Sequence, residues 1–122
     1  MTKIEKDDDR EYRIDMEIVV DAYDSQERAM GWYYYVADHC NYPFKARCIE
    51  TRRISPLEIN EEVEVLSITE EAECEKEIFV EVKWNNRDFA IPFSQLEGID
   101  VDGDTKQVLE DWRYWRQRGY EF

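Results

Sequence analysis

One imidazole, His39, is all the histidine in a chain of 122 residues. General acid–base catalysis draws on histidine more than on any other side chain, and a nucleophile needs a base within reach. The neighbouring Cys40 offers no dyad, because adjacent residues on a helix do not face one another. No P-loop, GxGxxG, HExxH or serine elbow occurs in the sequence. Cysteine is scarce too: Cys40, Cys48 and Cys74 are odd in number and lack CxxC spacing. That excludes a disulfide framework and points to reduced thiols in a cytosol. With His39 they lack the spacing of a zinc site, and Cys48 reads as a small core residue. No run approaches the ~18 apolar residues of a membrane span. The segment 1–10, with Asp7, Asp8 and Asp9 and no apolar stretch, is not expected to act as a signal peptide. The chain reads as a non-enzyme of cytoplasmic location.

Positive charge is the other shortage. Sixteen Lys and Arg face thirty Asp and Glu, a net charge of -14. Such a surface repels phosphate backbones and anionic lipid, which disfavours ordinary DNA binding and membrane docking. It attracts basic protein patches, polyamines and divalent cations. Like charges also repel one another in the compact state, so a bound divalent ion would stabilise the fold by mass action.

What is present is enough for a core. Hydrophobic residues make up 43% of the chain and aromatics 14%, too much for a disordered acidic tail. The length fits one domain, 1–122, with residues 1–11 expected as a flexible arm. Residues 12–23 are expected to be helical. Asp24 with Glu27 three residues on forms a capping signal for a helix over 25–39, whose Ala29, Trp32, Tyr33, Val36 and Cys40 share a face. Pro43 ends it. Alternation then predicts strands over 44–51, 62–68 (Val63, Val65 and Ser67 inward), 77–84 and 88–93, with Asn85-Asn86-Arg87 as a hairpin turn. A helical turn over 94–98 precedes a last strand at 99–101. A final helix over 105–116 has Asp104 as its expected N-cap and Gln107 reciprocal to it, and Val108, Leu109, Trp112 and Trp115 on its apolar face. The fold class is α+β: a small SH3-like β-barrel of four to five strands packed with N-terminal helices and one C-terminal helix.

Oxygen-rich loops are where the chain is unusual. Calcium takes six to eight oxygen ligands from carboxylates, carbonyls and water. Asp100, Asp102 and Asp104 have the first three spacings of an EF-hand loop, and Asp111 falls at its twelfth position. The match then fails, since Thr105 stands where the loop requires glycine and a strand precedes it. Glu70–Glu77 carries a dense acidic run including Glu73 and Glu75; a solvated loop is the ordinary reading, a counter-cation the functional one. Asp38 lies near a helix C-terminus, where the dipole disfavours an anion, and Asn41 follows it. The candidate metal ligands are therefore Asp38, Asn41, Glu73, Glu75, Asp100, Asp102 and Asp104.

Long strings carry a family resemblance: EIVVDAYDSQERAMGWYYYVADHCNYPF over 17–44, then KARCIE, SPLEINEEVEVL, EAECEKEIFVEVKW, FAIPFSQLEGID and EDWRYWRQRGYEF. Over nearly all of 12–122 the chain resembles the small acidic calcium-binding proteins typified by cyanobacterial CcbP. The resemblance implies Ca2+ binding without EF-hands, by carboxylate and carbonyl oxygens on an acidic surface, with Asp38 at the family's key acidic position. A Ca2+ buffer or sensor is the expected role, as a monomer or a Ca2+-bridged dimer. The alternative is an acidic interaction module that docks a basic partner without metal.

Overall fold

The computed structural model describes residues 5–122. Helix α1 (Asp8–Arg13) is capped by Asp7, whose side chain accepts from the Arg10 amide, and runs into a single wide turn at Ile14–Ile18 with five-residue hydrogen bonding. Residues 1–4 of the expected arm lie outside the described residues. From Asp8 onward the arm is helical, and it is docked. Its amide at Asp7 donates to the Tyr114 hydroxyl at 2.9 Å, and Glu11 accepts from the hydroxyls of Tyr114 and Tyr120 at 2.6 and 2.9 Å.

Helix α2 (Ser25–His39) begins at Asp24, which accepts from the Glu27 amide at 2.8 Å. Its Gly31 faces the wide turn so closely that a Cβ would run into the carbonyl oxygen of Ile18. Ala29, Trp32, Tyr35 and Val36 are its buried residues, while Tyr33 is half-buried. Tyr42-Pro43 is a cis peptide, and Phe44 starts the sheet.

The strands are β1 (Phe44–Cys48), β2 (Glu62–Ile68), β3 (Phe79–Trp84), β4 (Arg87–Pro92) and β5 (Leu96–Ile99). They form one antiparallel sheet in the order β4-β3-β2-β1-β5. The expected barrel is corrected here: β4 and β5 are the two edges and the sheet is not closed. In β2, the register shifts between Val65 and Ser67. That irregularity breaks the alternation, so Ser67 is exposed and not inward as its spacing implied. Asn85 and Asn86 both take positive φ, as a two-residue hairpin turn requires. The last strand begins three residues before the expected Ile99, after a short helical turn at Phe93–Gln95.

Helix α3 (Gly103–Gln117) is capped by Asp102 and not by the expected Asp104. The Asp102 carboxylate accepts from the Thr105 hydroxyl at 2.7 Å and the Thr105 amide at 3.1 Å. Gln107 is not reciprocal to a cap; its amide reaches the Tyr35 hydroxyl at 3.3 Å. Trp32, Trp112 and Trp115 meet at the centre, Trp32 edge-on to Trp112 at 5.0 Å and Trp112 stacked on Trp115 at 5.6 Å. Phe122 folds back onto both α3 indoles.

One buried charge ties the N-terminal segment to this core. Asp111, fully enclosed on α3, accepts from Arg10 Nη1 at 2.7 Å, Arg13 Nη2 at 2.6 Å and Nε at 3.0 Å, and the Tyr35 hydroxyl at 2.7 Å. Asp111 is thus spent on a structural lock and is not a loop ligand at an EF-hand's twelfth position.

Candidate functional site

The seven candidate ligands sort into two regions, one where the end of α2 meets α3 and one where α2 meets the β2–β3 loop. In the first, Asn41 stands just past the helix and Asp102 at the start of α3. Asn41 donates its side-chain amide to Asp102 Oδ2 at 2.9 Å and its backbone amide to Thr105 Oγ1 at 2.9 Å. These donors hold the Asp102 carboxyl below the usual carboxylate range, the Thr105 hydroxyl first, then the Thr105 amide and Asn41. The carboxylate is therefore ionised, exposed to solvent and held in a fixed orientation. Asp100, exposed, sits two residues before it in a left-handed conformation (φ 52°) that bends the chain away from β5. Asp104 is exposed in the first turn of α3.

The second region brings Asp38, exposed on the last turn of α2, to the side of the helix that meets the β2–β3 loop. Tyr34, one turn before Asp38, donates to Glu71 Oε2 at 3.3 Å. Its hydroxyl is pushed up, first by the charge of Glu71 and in smaller part by that of Asp38. Glu71 thus belongs to the same electrostatic neighbourhood as Asp38. Sequence reasoning singled out Glu73 and Glu75 of this loop and passed over Glu71. The loop holds a tight helical turn at Glu71–Cys74 in which Glu70 and Glu73 cap one another, so the Glu73 carboxylate is turned back on its own backbone. Glu75 is exposed beyond it. Nothing in the acidic run marks Glu71; its contact with Tyr34 is made only in the folded chain.

Among the described residues, no three Asp, Glu, His or Cys side chains converge on one point. The donors fit Ca2+ in kind, being hard oxygens, and they do not form a closed cage. The junction of α2 with α3 supplies the Asp102 carboxylate and the Asn41 amide side by side. Turning that amide over would present its oxygen to a cation next to Asp102 Oδ2. Further ligands would come from main-chain carbonyls and water. His39 is exposed, its Nδ1 lies 3.2 Å from the Tyr35 carbonyl oxygen, and its ring packs on Tyr35 at 4.8 Å. Cys40, Cys48 and Cys74 are free, buried and in different elements, which gives zinc no site among them.

The comparisons with known proteins bear on which ion these oxygens serve. The CcbP family profile, described as calcium binding, matches residues 12–116. The crystal structure of Anabaena CcbP is 42% identical, with a TM-score of 0.88 and all of both chains covered. A calcium-binding protein in its calcium-binding form is also 42% identical, with a TM-score of 0.85 over all of both chains. No curated protein matches the sequence. The family is one of ion binders and not of enzymes.

Proposed function

This chain belongs to the CcbP family of calcium-binding proteins, and we propose that it binds Ca2+ reversibly at surface sites that are not EF-hands, as a buffer or sensor. The observation that carries this reading is the family match across 12–116 together with the 42% identical relative in a calcium-binding form. The chain's own chemistry supports it: net charge -14, hard oxygen donors and no catalytic constellation. We place the first ion where the end of α2 meets α3, with Asn41 and Asp102 as protein donors and main-chain carbonyls and water completing the shell, while Asp38 belongs with Glu71 to the second region. Asp100 and Asp104 flank Asp102 and add to its negative field. Glu73 and Glu75, with Glu71, form a second and weaker attraction for a cation on the β2–β3 loop.

An open site of exposed carboxylates implies modest affinity, on the order of 10⁻⁶–10⁻⁴ M. The protein works in the cytosol, without nucleic acid or membrane, as a monomer or as a dimer bridged by an ion shared between exposed carboxylates. The test is thermal unfolding of chelator-stripped protein with and without Ca2+. Ca2+ should raise Tm, and Asp38→Ala or Asn41→Ala should shrink the rise. Equal rises in parent and both variants would remove the end of α2 from the site.

A further inference from the structure

A groove of about 970 Å³ lies on the other half of α2. It runs between the first turns of that helix, the β2–β3 loop and residues 121–122. Its apolar side is formed by Met30, Tyr33 and Phe122, and carboxylates of Glu71, Glu75 and Glu121 stand along it. Tyr33 is fixed there by donating to the Thr69 carbonyl at 2.7 Å. Glu77 in the same groove is committed to Arg52 at 2.8 Å, but Glu71, Glu75 and Glu121 make no ion pair among the described residues. Lys76 and Arg116 are the groove's cations, and Arg116 already lies 3.9 Å from Glu77. The groove therefore combines an apolar surface with a surplus of negative charge.

We propose that this groove docks a basic segment of another protein, one apolar side chain flanked by lysines or arginines. The apolar anchor rests on Met30, Tyr33 and Phe122, and the flanking cations meet the carboxylates of Glu71, Glu75 and Glu121. Charge complementarity selects this occupant. Nucleic acid and anionic lipid are repelled by the same carboxylates. A second copy of this chain is a poor fit, because its exposed Tyr12, Met16, Val20 and Tyr23 sit among Asp15, Glu17, Asp21 and Asp24, so acid would meet acid. Ile54 follows Arg52 and Arg53, and Arg52 is held by Glu77.

The test is fluorescence anisotropy of a labelled peptide with one leucine between lysine pairs, on the full chain, with chelator present so that calcium binding plays no part. Saturable binding is expected, and replacing the peptide's leucine by serine should weaken it ~10-fold or more, about the worth of one buried apolar side chain. Met30→Asp removes apolar surface while adding negative charge, and it should also weaken binding ~10-fold. Met30→Ser, which removes the anchor at a half-buried position without adding charge, should do the same if Met30→Asp fails to fold. Unchanged or tighter binding to the folded variant would reduce the interaction to general charge attraction and overturn the proposal. So would equal binding of the leucine-free peptide with full displacement by spermine, which would make this a polyamine surface. Sedimentation showing self-association weakened by either variant would give the groove to a second copy and overturn it as well.

Discussion

The side-chain amide of Asn41 donates to Oδ2 of Asp102 at 2.9 Å, joining the end of α2 to the cap of α3 across 61 residues of sequence. The contact places a fixed carboxylate beside a group that can present either a donor or an oxygen. It also makes the start of α3 respond to acid. The folded-state pKa of Asp102 is depressed, so its contribution to stability is present above the ordinary aspartate value of 3.8 and is lost as pH falls through the lower folded value. Asp102→Asn should flatten the loss of stability between pH ~4 and pH ~2 relative to the parent in urea titrations. An unchanged acid slope would show that the cap is not formed in solution.

Asp111 should be the most damaging acidic residue to lose. Two guanidinium groups and the Tyr35 hydroxyl converge on it in a fully buried position. Burial pushes the Tyr35 hydroxyl up to about 12, so it remains a donor across the working pH range. Asp111→Ala leaves Arg13 without its carboxylate and Arg10 with only the more exposed Asp7 and Glu110, and it should lower unfolding stability by about 3–5 kcal/mol in urea melts. A cost under ~1 kcal/mol, the range of a surface pair, would show that the N-terminal segment is not docked.

Gly31→Ala should destabilise although alanine is the better helix former. A Cβ there meets main chain at Ile18, which cannot rotate aside as a side chain would. The expected cost is about 1–3 kcal/mol, the range for overpacking. A rise in Tm would contradict the packing of the wide turn at Ile14–Ile18 against α2.

The three thiols should be silent in the native protein. All are buried, and burial pushes Cys40 up to about 12 and raises Cys48 and Cys74 above the ordinary cysteine value. Reaction with a thiol reagent at pH 8 should be slow, with full release of all three in denaturant. Rapid native labelling of Cys40 would show that the end of α2 opens readily.

Much of this architecture is legible along the chain, and the reasons differ by element. Helix α2 is set by local chemistry at both ends, Asp24 at the start and Pro43 after the finish, and its boundaries of Ser25 and His39 follow. The hairpin at Asn85-Asn86 is equally local, since asparagine tolerates the positive φ it needs. The cap of α3 was misassigned because Asp100, Asp102 and Asp104 all look like caps in sequence. Only the Thr105 hydroxyl and Asn41, a contact made in three dimensions, select Asp102. The Asp111 lock joins residues about a hundred positions apart and has no local signal. The open sheet depends on whether β4 reaches β5, which alternation within strands does not encode. For the candidate site, sequence supplied the carboxylates but not their pairing. Asn41 with Asp102 and Tyr34 with Glu71 are contacts of tertiary structure.

Calcium titration calorimetry on chelator-stripped protein, with magnesium in the background, tests the central claim most directly. Saturable heat at roughly 10⁻⁶–10⁻⁴ M Ca2+, weakened by Asp38→Ala and by Asn41→Ala, is the expected result. Heat no larger than dilution in the folded parent protein would contradict it, and the acidic surface would then serve a basic partner without metal.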